Sequence, residues 1–81
     1  MTIYDAINQA HNDEGWARGV AIRRKIWHPY MIVAVDLHMV GAMYLRIIDE
    51  NSNLDVTTHY TPIVYDLLSD DWEVVEIEEN Y

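Results

Sequence analysis

The chain contains no cysteine and no phenylalanine, only two prolines and three glycines among its 81 residues. Each scarcity excludes something. Without cysteine there is no disulfide to staple the fold and no thiolate to bind a metal. Three glycines cannot build a glycine-rich phosphate loop. The longest apolar run, Met31 to Val35, is strand-sized and far short of the roughly 20 residues that span a bilayer. The opening residues, Met1 to Asp5, lack the basic region and apolar run of a signal peptide. Basic residues are scarce too. Five face 14 acidic ones, for a formal charge of -9. A surface that acidic disfavours direct binding to nucleic acid or to an anionic membrane.

What is present is aromatic and unevenly charged. Three tryptophans and six tyrosines carry polar handles, which suit interfaces and ligand walls. A chain this small buries a modest share of its surface, so one domain over residues 1–81 is expected, strengthened by self-association into a closed oligomer. Four of the five cations, Arg18, Arg23, Arg24 and Lys25, fall in one short stretch. Carboxylates crowd the C-terminal part, from Asp66 through Glu79. One basic pocket on an acidic body is one reading; a soluble surface of scattered carboxylates is the plainer one.

Periodicity gives the elements. Thr2 predicts a helix cap, with Asp5 three residues on, and Ile3, Ala6, Ile7 and Ala10 share a face. That helix should end near Gly15 or Gly19. Val20 to Ile26 alternates as a strand, with Arg23, Lys25 and Trp27 on one side and Arg24 on the other. His28-Pro29 marks a loop. Tyr30 to Val35 is apolar on both faces and reads as a central strand. Asp36 to Met39 fits a turn or a continued strand equally well. Tyr44 to Ile48 and Leu54 to Thr58 flank a polar turn at 49–53 and predict a hairpin. Thr61-Pro62 reads as a helix cap and a first-turn proline. Ile63, Val64, Leu67 and Leu68 then form an apolar helix side. Ser69-Asp70-Asp71 closes it, Trp72 to Ile77 forms a last strand, and an acidic tail follows. The order predicts an α+β fold: a small, mainly antiparallel β-sheet with one or two short helices packed on one face.

The C-terminal phrase, Asp66-Leu67-Leu68-Ser69-Asp70-Asp71-Trp72-Glu73-Val74, resembles the closing motif of a phage domain family, the Thoeris anti-defence 2-like family. The family's opening phrase is matched more loosely by Tyr4-Asp5-Ala6-Ile7 and Val20-Ala21-Ile22-Arg23-Arg24-Lys25-Ile26-Trp27. The chain departs from the family at Ile26, where a glycine is usual, and in a shorter excursion between the middle strands. The resemblance implies an α+β subunit, a homotetramer, and pockets between subunits that sequester an immune-signalling nucleotide, either a cyclic ADP-ribose isomer or a cyclic oligonucleotide. It also implies action in the cytoplasm of an infected bacterial host.

For such a ligand the residues to weigh are Arg23, Arg24 and Lys25 as phosphate contacts. Trp27 and Tyr30 are candidate stacking surfaces. Thr61 sits at the expected helix N-terminus, with Thr57, Thr58, His59 and Tyr60 nearby as donors. Asp66 is a candidate partner for an arginine or a ribose hydroxyl. Each has a plainer alternative: a solvated strand face, a core tryptophan, a simple cap, a surface carboxylate. Trp72 reads as structural. No catalytic constellation is visible, no cofactor is implied, and His11, His28, His38 and His59 lack metal-ligand spacing. Two other functions remain: an acidic, DNA-mimicking inhibitor of a host defence protein, and an accessory structural protein of the phage.

Overall fold

A computed structural model describes residues 1–27, 30–36, 41–49 and 54–76. Five antiparallel strands form one sheet: β1 (Val20–Arg24), β2 (Met31–Asp36), β3 (Ala42–Asp49), β4 (Leu54–His59) and β5 (Trp72–Glu76), in the spatial order β4-β3-β2-β1-β5. Two short helices accompany them, α1 (Ile3–His11) and α2 (Val64–Leu68). This is the small α+β arrangement that the alternation of patterns predicts. The β3–β4 hairpin is present, with Asp49 opposite Leu54. The expected loop at His28-Pro29, the remainder of the ambiguous segment at 37–39, the turn at 50–53, the expected strand end at Ile77 and the tail after it lie outside the described residues.

α1 begins as its cap requires. The Asp5 backbone N–H donates to Thr2 Oγ1 at 3.1 Å, satisfying an N–H that the first turn leaves without a helical partner. Ile3, Ala6 and Ala10 face inward and are buried. The α-helix stops at His11 and tightens into a 3₁₀ segment, Asn12–Arg18. Gly19 ends it in the left-handed conformation, φ 87°, where a side chain is strained. A Cβ at Gly15 would run into the Ala10 carbonyl oxygen, so the chain folds back on α1 only with glycine there.

The main core lies between the helices and the sheet. Ile3, Ala6, Ala10, Val20, Ile22, Val33 and Trp72 form one buried cluster. A second, smaller cluster of Ala21, Ile32 and Ala34 lies on the opposite face of the sheet. β2 is buried on both sides, as its unbroken apolar run predicts.

Three local expectations are corrected. The first concerns β1, which ends at Arg24 instead of Ile26. The Trp27 N–H then turns back to the Arg24 carbonyl at 3.0 Å. That turn breaks the alternation, so Trp27 packs on the Arg24 side of the sheet and not beside Arg23. The second is the start of α2, which is capped at Ile63 and not at Thr61. The N–H groups of Asp66 and Leu67 both reach the Ile63 carbonyl, at 3.0 and 3.2 Å, so the first turn starts there and Thr61-Pro62 only approach it. The third is the orientation of α2. Ile63, Val64, Leu67 and Leu68 are exposed, and the residue α2 buries is Asp66. Its carboxylate is drawn inward by an arginine and a tyrosine, which outweighs the apolar preference of a helix of five residues.

Candidate ligand-binding face

Register sorts the cations. Side chains alternate across a strand, so residues paired across strands share a face. On the helix-covered face, Arg24 pairs with Trp72 and Ile22 with Val33 and Val74. On the other face, one cross-strand row holds Glu73 and Arg23 on β5 and β1, continuing with Ile32, Arg46 and Thr57 on β2, β3 and β4. The next row runs Val75, Ala21, then Ala34, Tyr44 and His59.

Arg24 is enclosed. Its Nε donates to Asp71 Oδ1 at 2.8 Å and its Nη1 to Asp66 Oδ1 at 3.1 Å. Asp66 Oδ2 accepts from the Tyr60 hydroxyl at 3.2 Å, and the Asp66 carbonyl accepts from Trp72 Nε1 at 2.8 Å. Trp27, Tyr60 and Trp72 close the cluster with edge-to-face contacts, the nearest ring centroids 5.1 Å apart. The hydrogen bond to Asp71 raises the Arg24 pKa despite partial desolvation. The same bond holds the Asp71 carboxyl below the usual carboxylate range. Burial first, then the Asp66 charge, pushes the Tyr60 phenol up. Charges with this many internal partners join β1, α2 and the start of β5 into one unit.

The sequence-based site candidates therefore divide. Arg24, Trp27 and Asp66 come together in this cluster. Arg23 lies on the opposite face, its guanidinium donating to the Trp27 carbonyl at 2.7 Å and lying 3.6 Å from Glu73. Lys25 is exposed just past β1, and its backbone N–H donates to the Asp71 carbonyl. Tyr30 is half-buried, its carbonyl accepting from the Ile48 N–H. Thr61 is exposed on the approach to α2.

The helix-free face holds a partly open cavity of about 460 Å³, lined by Trp16, Arg18, Ala34, Tyr44 and Arg46 among others. The 3₁₀ segment carries Trp16 and Arg18 to it, and Gly19 turns the chain from there into β1. Trp16 and Tyr44 pack against the buried Ala21, Ile32 and Ala34. Two alanines at adjacent cross-strand positions leave room that larger side chains would fill. Arg46 is held in place by a two-pronged contact with Asp55, at 3.0 and 2.8 Å, which lowers the Asp55 pKa. Arg18 is exposed and has no ion-pair partner among the described residues. Sequence reasoning noted Arg18 only as part of the basic stretch and passed over Trp16, Tyr44 and Arg46. The signal available was the parity shared by Tyr44, Arg46 and Ile48 on β3, together with the alanines of β1 and β2.

Among the described residues, no group of three or more histidines, aspartates or glutamates is placed to hold a metal, and no helix is long and apolar enough to cross a membrane. The fold and this face define a small α+β domain that gathers most of its few cations, with two aromatic rings, on one side of an acidic body. The chain belongs to the Thoeris anti-defense 2-like domain family, whose family model matches residues 1–75. Membership places it among phage anti-defence proteins. No curated protein and no solved structure matches the chain.

Proposed function

We propose that this protein is a noncatalytic sponge that captures an immune-signalling nucleotide, a cyclic ADP-ribose isomer or a cyclic oligonucleotide, in the cytoplasm of an infected bacterium. Its binding surface is the helix-free face of the sheet. The observation that carries the reading is the grouping of Arg18 and Arg46 with Trp16 and Tyr44 around one cavity, on a chain with a formal charge of -9. A nucleotide offers a flat base and an anionic phosphate, and this cavity supplies aromatic walls and guanidinium groups. Arg46 is fixed in advance by Asp55, so little of its side-chain freedom is lost on binding. Arg18 supplies the cation that adjusts to the ligand. Arg23, Lys25 and Tyr30 extend the recognition surface; Thr61 is a secondary contact. Arg24, Trp27 and Asp66 act by holding β1 in place. In a homotetramer a neighbouring subunit closes the open side of the pocket, and the captured signal is held intact.

The test is native mass spectrometry with a panel of cyclic nucleotides and cyclic ADP-ribose isomers. An assembly that gains discrete ligand masses, and releases them unchanged on denaturation, supports the sponge. Arg18→Ala with Arg46→Ala should then weaken binding at least about tenfold, equivalent to roughly 1.4 kcal/mol. Full affinity in that double variant would move the ligand away from this cavity. No adduct across the panel would sink the sponge and favour an acidic inhibitor of a host protein.

A further inference from the structure

We infer that His59 is a further recognition residue of the cavity on the helix-free face: it takes up a proton when an anionic ligand is seated, so capture tightens as the medium becomes acidic. The inference rests on the nucleotide reading above and adds to it a residue and a pH dependence. Register places His59 directly opposite Tyr44, which lines the cavity. Paired residues share a face of the sheet, with Cβ atoms about 4.5–5.5 Å apart. The row that carries this pair runs from Ala34 on β2 through Tyr44 on β3 to His59 on β4. Strands lie about 4.8 Å apart, so His59 stands about 10 Å from the alanine in the cavity floor. His59 is exposed, and no ion pair holds it among the described residues.

The cations already placed leave this edge of the cavity uncovered. Arg46 turns its Nε and Nη2 to Asp55, at 3.0 and 2.8 Å. Asp55 stands opposite Ile48, so that pair draws positive charge toward the end of β3 away from Tyr44. Arg18 enters from the 3₁₀ segment, on the β1 side. A phosphate seated over Tyr44 would meet His59 on the β4 side. β4 is an edge strand, so β3 is its one neighbour in the sheet. The groups facing His59 are Tyr44 and Arg46 on β3, Asp55 on its own strand, and Arg18 across the cavity. Phenol, guanidinium and carboxylate groups titrate far from neutrality, so histidine is the one among them that changes charge between about pH 6 and about pH 8. The hydrogen bond from Arg46 lowers the Asp55 pKa further, which keeps that carboxylate ionised over this range. Before a ligand arrives, the two guanidinium groups disfavour an imidazolium; a phosphate placed among them reverses the local field. By linkage, an anion that favours the imidazolium is bound more tightly where the imidazolium is populated, and the gain is lost as pH rises.

The experiment is isothermal titration calorimetry with cyclic di-AMP and with cyclic ADP-ribose isomers, from about pH 6 to about pH 8, in two buffers of different ionisation enthalpy. None of these probes carries a phosphate monoester, whose second ionisation at about pH 6 would mimic the effect. The parent should bind at least about threefold more tightly at about pH 6 than at about pH 8, with net proton uptake near neutrality. His59→Gln keeps a neutral donor and should bind across the range as the parent does at its alkaline end, with no proton uptake. His59→Arg should hold the acid-side affinity throughout. The position is exposed on an edge strand, so both variants should keep the parental circular dichroism spectrum. A parent affinity that is flat with pH, or a slope and proton uptake that persist in either variant, would overturn the inference and leave the nucleotide reading standing. Probes that bind at no pH would overturn both.

Discussion

The two faces of the sheet treat their arginines in opposite ways. On the helix-covered face, Arg24 is held by two aspartates and surrounded by Trp27, Tyr60 and Trp72. On the other face, Arg46 meets Asp55 at the surface and Arg18 stands exposed beside an open cavity. Arg23 and Arg24 are adjacent in sequence, yet strand alternation sends one to each environment. A guanidinium already satisfied by internal carboxylates has little left for a ligand. One at the rim of a cavity keeps its field available. Basic residues in a row thus place a structural pin on one side of the sheet and a cation on the other, cavity-bearing face.

The sharpest break in that comparison is Trp72→Ala. Trp72 is 1% exposed and links β5 to α2 through its indole N–H. Removing it should lower stability by about 3–5 kcal/mol, read from urea unfolding, a large part of the roughly 5–15 kcal/mol a domain possesses. A loss well below that range would show that the aromatic cluster is not the anchor of the helix-covered face.

Next in size is the contrast between adjacent arginines. Arg24→Ala leaves Asp66 buried without its cation and should markedly lower the urea midpoint. Arg23→Ala removes a contact to a carbonyl and a longer approach to Glu73, and should lower it less. Equal losses in the two variants would erase the distinction drawn between the faces. A double substitution of both arginines is uninformative about binding, since Arg24 alone is expected to disturb β1.

The smallest effect is a pH dependence. The Asp71 carboxyl is held below its ordinary value of 3.8 chiefly by the hydrogen bond from Arg24. A carboxyl lowered in the folded state binds fewer protons than in the unfolded chain between the two pKa values, so stability rises with pH there. Its contribution is complete above the ordinary carboxylate range and is lost as pH falls through the folded value. Urea midpoints measured from about pH 6 down to about pH 2 should decline. The decline should be shallower in Asp71→Asn. Parallel profiles for parent and variant would assign the acid sensitivity to other carboxylates.

Much of the fold was legible in the chain because its signals are local. The Thr2 cap, the inward spacing of Ile3, Ala6 and Ala10, the two-sided apolar run of β2 and the β3–β4 hairpin each depend on residues a few positions apart. Trp72 was legible as a packing residue from its place at the head of a strand. Less legible was the candidate site. The separation of Arg24 from Arg23 follows from alternation, but the company each side chain keeps is set by strands distant in sequence. Trp16 and Arg46 meet only because the 3₁₀ segment folds back at Gly15 and Gly19 toward the face where β3 presents its even-numbered residues. Trp27 was misassigned because a turn at residues 25–27 ends the alternation that sequence spacing assumes. α2 was misread for a related reason: helical periodicity registers where apolar residues lie, not whether a buried charge competes for the inner side.

The class of fold, the family and the shortage of cations are readable from the chain alone, because composition, periodicity and short motifs are properties of neighbouring residues. Which cations are spent inside the protein and which face a cavity emerges from the folded arrangement. The same arrangement has α2 bury its aspartate and expose its leucines. Those outcomes depend on the antiparallel register that brings β1, β5 and β3 into one sheet, and register is fixed by contacts made across the whole chain.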